Sequence, residues 1–202
     1  MIGGEELEAL CELARSRGAC GARTMDARGV VLDPRVRLKC MVPLCDHYGR
    51  NLMCPPNVMP AKEFSKVLGR YSRAILVQYP IPPHQFTVDD EARGMEQANA
   101  DKEYSQLLLQ AERAFIELMG LLEKEAMRSG YRFAAALSGG ACRLCDECVG
   151  LGSGKACRHP FRSRPAMEAM GIDVLETAKN AGLPFEIPPK DRPVLNGLLL
   201  VD

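Results

Sequence analysis

Nine cysteines in 202 residues, seven of them gathered in two short loops, constrain this chain more than any other feature. They stand at positions 11, 20, 40, 45, 54, 142, 145, 148 and 157. An odd number fits a closed disulfide framework poorly. The N-terminal stretch MIGGEELEAL is acidic and lacks the basic segment and apolar core of a signal peptide. No apolar run approaches the ~20 residues that span a bilayer. The expected setting is therefore a reducing cytoplasm, where closely spaced thiols bind metal or do redox chemistry rather than pair.

The second group is the more specific. CRLCDECVGLGSGKAC places Cys142, Cys145, Cys148 and Cys157 as C-x2-C-x2-C-x8-C. Three thiolates at successive two-residue gaps wrap one face of a cubane, each reaching a different iron, and a fourth closes the site. Bacterial ferredoxins use the same run with a fourth cysteine before proline. Here the last spacer is longer, and Arg158 and His159 separate Cys157 from Pro160. The rival is a four-thiolate zinc, which more often pairs two distant C-x2-C knuckles. Gly139, Gly140, Gly150, Gly152 and Gly154 suit either a close approach of backbone N–H groups to cluster sulfurs or a tight turn. GSGK at 152–155 is not a phosphate loop, because Val149 and Ala156 occupy positions that need glycine and a hydroxyl.

The first group, KCMVPLCDHYGRNLMC, supplies only Cys40, Cys45 and Cys54, as C-x4-C-x8-C. Either Cys20, His47 or Asp46 completes it, or one iron stays open to bind substrate or water as a Lewis acid. Three cysteines and a histidine would also suit zinc. Cys11 falls on the apolar face of a helix, where packing is its expected role. Cys20 is either a buried thiol or the missing ligand. His47 and His159 are expected in surface or hydrogen-bonding roles, and His84 in a solvated connector. Arg143, Lys155 and Arg158 are the candidate cofactor-binding residues, with Arg162 and Arg164 nearby. Their cations would stabilise an anionic cluster or dock an acidic partner, unless they form a solvated basic loop.

Periodicity supplies the elements. Leu7, Leu10, Cys11 and Ala14 predict a helix stopped at Gly18; Val30–Leu32 predict a strand. Pro60 opens a second helix with Phe64, Val67, Leu68 and Tyr71 on its apolar face. Ala74–Tyr79 predict a buried strand. A long helix is expected from about Gly94 to Arg128, with a break or a frayed start. Phe133–Leu137 predict a short strand and Pro165 a short helix interrupted near Gly171. Asp173 with Glu176 predicts a capped helix, and Leu195–Val201 a closing strand. Met95, Met119, Met127, Met167 and Met170 read as core.

Each half runs helix, strand, cysteine loop, helix, strand, and Cys45–Cys54 and Cys148–Cys157 each enclose eight residues. The expectation is one α/β domain, 1–202. Its pseudo-repeated halves, 1–80 and 93–202, are joined by a proline-rich connector at 81–92 and share one mixed sheet. Lys plus Arg and Asp plus Glu both number 26, so the basic excess of a nucleic-acid binder is absent.

KCMVPLCDHYGRNLMCPPN, AILVQY, GGACRLCDEC and CRHPFRSRPAMEAMGIDV together resemble an uncharacterised prokaryotic family of cysteine-rich predicted metal-binding proteins, a domain of unknown function, over about residues 20 to 202. The resemblance implies metal binding at the seven loop cysteines and no particular substrate. The expected function is an iron–sulfur protein carrying two 4Fe-4S clusters, in electron transfer or redox chemistry with a partner protein. The alternatives are an enzyme using an open iron, and a zinc-stabilised interaction module. Neither nucleic acid nor membrane is an expected partner.

Overall fold

The structure, a computed structural model, describes residues 4–82, 101–187 and 193–202. Among the described residues four strands form a single sheet: β1 (Gly21–Asp26), β2 (Arg73–Pro80), β3 (Ala135–Leu137) and β4 (Val194–Val201), in the order β1-β2-β4-β3. Every pairing is antiparallel, so the expected mixed sheet is corrected. That expectation arose from unbroken apolar strands, which usually mark parallel sheets covered on both faces. Here an antiparallel sheet is covered on both faces, so β2 and β4 need apolar residues in both alternating sets.

One face carries Ile75, Val77, Leu199 and Val201 against α1 (Gly4–Ser16) and α4 (Lys102–Arg128). Leu7, Leu10, Cys11 and Ala14 of α1 are all buried there, as their spacing requires. The other face carries Ala74, Leu76, Leu198 and Leu200. Phe64 and Leu68 of α3 (Ala61–Leu68), Ala178 of α5 (Val174–Asn180), Met167, Met170 and Ile172 cover it. Full burial of each large side chain contributes about 1.5–3 kcal/mol.

Several boundaries move from their sequence expectations. Val30–Leu32 is not a strand: Leu32 makes an isolated bridge to Ile172, and the edge strand lies earlier, at Gly21–Asp26. GARTMD has few β-branched residues and was hidden by its small, polar composition; Ala22 and Met25 nevertheless point into the core. Asp26 and Asp33 then start a 3-10 turn and α2 (Pro34–Leu38) by accepting the Arg28 and Arg35 backbone N–H groups. α3 ends at Leu68, and Tyr71 beyond it donates to the Phe133 carbonyl at 2.8 Å. Val67 faces outward. α4 begins after Asp101, whose carboxylate caps Glu103 and Tyr104; the expected start at Gly94, with His84 and Met95, lies outside the described residues. The helix expected after Pro165 is a single 3-10 turn, Glu168–Met170, ended by Gly171 at φ +86°. Phe133 is exposed and outside β3, and Met127 is exposed too, while Met119, Met167 and Met170 are core.

Candidate metal centre

Both cysteine loops lie on one part of the molecule and dock against each other. Asn51, buried, donates from Nδ2 to the Cys142 carbonyl at 3.0 Å and accepts the Met53 N–H at 2.9 Å. The Leu52 N–H points at the Cys148 sulfur at 3.5 Å. Gly150, at φ +73°, lets its backbone pass so close to the Arg50 carbonyl that a Cβ there would stand 3.2 Å from the oxygen. A chain of backbone contacts thus joins residues 50–53 to 142–150.

Cys142, Cys145, Cys148 and Cys157 line one narrow cavity with Asn51, Leu52, Met53, Leu144, His159 and Ser163. Its volume is about 20 Å³, little more than one water occupies, so a larger guest must push the loops apart. The Cys157 sulfur meets the His159 N–H at 3.3 Å and the Ser163 hydroxyl at 3.4 Å. Burial pushes the Cys142 thiol up, and thiolates at Cys157, Cys145 and Cys148 push it further.

In the first group the Cys45 N–H bonds the Cys40 carbonyl at 3.1 Å. Burial raises both Cys40 and Cys54. Cys54, buried against thiols of both loops, is pushed to about 12, by desolvation first and then by Cys45, Cys40, Cys142 and Cys148. Buried thiols that repel one another when ionised are a donor set short of a cation, which is the condition a thiophilic metal relieves. The residues therefore fit a metal or cluster. Among the described residues no three His, Cys, Asp or Glu side chains converge on the point a single ion would occupy.

The remaining sequence candidates separate clearly. Cys11 is core and Cys20 is exposed at the start of β1, with its sulfur 3.4 Å from the Gln78 carbonyl. Asp46 and His47 line an open groove of about 450 Å³ with Cys142, Cys145, Cys148 and Arg143, beside the second group. Burial, then the Arg143 charge, depresses the His47 pKa. All nine cysteines are free thiols.

The basic residues are mostly engaged within the protein. Arg143 pairs with Glu112 at 3.1 Å, Arg162 with Glu117, and Arg164 with Glu123, pinning the second loop along α4. Arg158 bonds the Glu147 carbonyl at 2.8 Å. For Lys155 the structure places the backbone N–H, on the Ser153 hydroxyl at 3.1 Å. Gly139 serves β4 rather than a sulfur: a Cβ there would stand 2.7 Å from the Asn196 carbonyl oxygen.

Residues 23–201 match a family described as predicted metal-binding protein, DUF2284. The chain belongs to that family. No curated protein and no solved structure is significantly similar to it. The two cysteine-rich loops of this DUF2284 protein are in keeping with the family's description as predicted metal-binding, and among its described residues no helix is long and apolar enough to cross a membrane. Sequence reasoning missed two residues at the site. Asn51 had no signal beyond a turn-forming residue in a cysteine loop. Glu168 had one: a lone acid inside the apolar run PAMEAMGI.

Proposed function

We propose that this protein is an iron–sulfur protein holding two 4Fe-4S clusters, one on Cys142, Cys145, Cys148 and Cys157 and one on Cys40, Cys45 and Cys54. The observation that carries this reading is the common cavity lined by all four cysteines of the second group. A tetrathiolate zinc would draw its sulfurs to within about 4 Å of one another; among the described residues no three donors converge on one ion's position, which favours a cubane, whose irons are ligated one by one once the loops part to admit it. One-electron transfer is the chemistry such clusters supply. The direct docking of residues 50–53 on 142–150 brings the two loops into contact, an arrangement suited to passing electrons from one group to the other.

A protein redox partner fits the exposed apolar rim of the first loop, where Leu38, Met41, Val42 and Leu44 face solvent. Arg143, Lys155 and Arg158 place positive charge near the second group. The halves are read as an internal duplication. Each supplies an edge strand and a central strand to the sheet, and each carries a cysteine loop between them.

The test is the iron, zinc and acid-labile sulfide content of anaerobically purified protein. About eight irons with matching sulfide per chain are expected for two cubanes. One or two zincs without sulfide overturn the proposal and leave a zinc-stabilised module.

A further inference from the structure

The first cysteine group supplies three thiols, and the sequence candidates for a fourth ligand face other parts of the structure. Asp46 and His47 open onto the groove beside the second group, and Cys20 bonds to β2. A different residue does meet the group. Glu168 begins the 3-10 turn that packs against α2, and α2 leads directly into Cys40. The two segments are stitched together by the Leu32–Ile172 bridge, by Asp33 N–H to the Gly171 carbonyl at 2.9 Å, and by Asp173 N–H to the Val31 carbonyl at 2.8 Å. The Glu168 charge is felt at the Cys40 thiol. The Ser138–Ala166 bridge, with the Met167 N–H on the Ser138 carbonyl at 2.8 Å, also sets the turn beside the chain that leads into Cys142, so Glu168 sits where the two cysteine loops meet.

Its Oε2 is buried and has no hydrogen-bond partner. Among the described residues no Lys, Arg or His pairs with it, whereas Glu112, Glu117 and Glu123 each hold an arginine. A buried carboxylate is kept where it is paired, protonated or bound to a metal. An acid in an otherwise apolar segment, with a buried and unpartnered oxygen where the two cysteine loops meet, has the form of a ligand waiting for its cation. Carboxylate oxygen is an established partner of iron alongside thiolate and imidazole.

We propose that Glu168 is the fourth protein ligand of the first cluster, binding through Oε2 the iron that Cys40, Cys45 and Cys54 leave free. The proposal rests on the two-cluster reading above. The 3-10 turn, packed against α2, holds Glu168 on the segment that leads into Cys40.

The experiment uses the full chain, reconstituted anaerobically and then treated with ferricyanide as a mild oxidant. Iron and sulfide are assayed, and the EPR spectrum is recorded for wild type, Glu168→Gln and Glu168→Cys. Gln preserves shape but is a far poorer iron ligand. Glu168→Gln is expected to fall from about eight irons to about seven per chain and to develop the EPR signal of a three-iron cluster. Wild type and Glu168→Cys should keep all their irons, the thiolate replacing the carboxylate. Equal iron loss in wild type and Glu168→Gln overturns the assignment. So does iron loss in Glu168→Cys, which carries the test if Glu168→Gln fails to fold by circular dichroism. Absence of labile sulfide from wild type overturns the two-cluster reading itself, which separates the two failures.

Discussion

Glu123 is the residue through which α4 fixes the exit of the second cysteine loop, and its removal gives a quantitative test. One carboxylate oxygen accepts the Ala136 N–H at 2.6 Å and the Arg164 Nε at 2.9 Å, while the other pairs with Arg164 Nη2. Both side chains of the pair are only 14% exposed. Arg164 in turn donates to the Ser163 carbonyl at 2.7 Å, and the Ser163 hydroxyl lies 3.4 Å from the Cys157 sulfur. Breaking a fully buried pair by deleting one partner costs about 3–5 kcal/mol; the remaining exposure trims this to about 2–3 kcal/mol. Orphaning the buried Ala136 N–H adds about 1–3 kcal/mol. Glu123→Ala is therefore expected to lose about 4 kcal/mol and Glu123→Gln about 2 kcal/mol, since glutamine still accepts from Ala136. With a urea slope of about 2 kcal/mol/M, the Ala variant should unfold about 2 M earlier than wild type and the Gln variant about 1 M earlier. Arg164→Met added to Glu123→Gln should cost less than the sum of the two single changes. Both Glu123 variants should also surrender second-group metal to a chelator faster. Equal losses below about 0.5 kcal/mol for Ala and Gln, within the range of an ordinary surface change, would falsify the idea that this pair positions the loop.

Cys145→Ser should abolish the second group's share of bound metal while Cys11→Ala leaves metal content unchanged, measured by elemental analysis. Gly139→Ala should destabilise by about 1–3 kcal/mol, because its Cβ would meet the Asn196 carbonyl oxygen at 2.7 Å; an unchanged urea midpoint refutes the close approach. Burial, with the Glu8 charge second, raises Cys11 from 9.0 to about 11. The unfolded thiol ionises first, so this contribution is complete below about pH 9 and disappears as pH climbs to about 11. Denaturation at pH 8 and pH 11 should show wild type losing on the order of 2 kcal/mol more than Cys11→Ala.

Much of this protein was legible because local signals coincided with tertiary need. The face of α1, the cap at Asp173, the apolar strands β2 and β4 and both cysteine loops depend on spacing and residue type, which are properties of the chain itself. Composition and spacing likewise determined that seven thiols form two groups and that Cys11 packs in the core. Strand direction was not so determined. Continuous apolar strands record only that both faces are covered, and helices on both sides cover an antiparallel sheet as well as a parallel one. β1 escaped because an edge strand with a few inward residues carries little periodic signal. The cation partners were hidden too: Arg143, Arg162 and Arg164 look like a free basic loop until Glu112, Glu117 and Glu123 meet them along α4.

Tertiary structure alone brought the loops together. Nearly a hundred residues separate Asn51 from Cys142 and Leu52 from Cys148, and sequence periodicity has no reach over that distance. Glu168 is over a hundred residues from Cys40, yet the stitch between α2 and the 3-10 turn places its charge beside that thiol. The sequence by itself determined which atoms can bind metal. The fold decided which of them share a cavity, because burial and proximity arise only when distant segments pack.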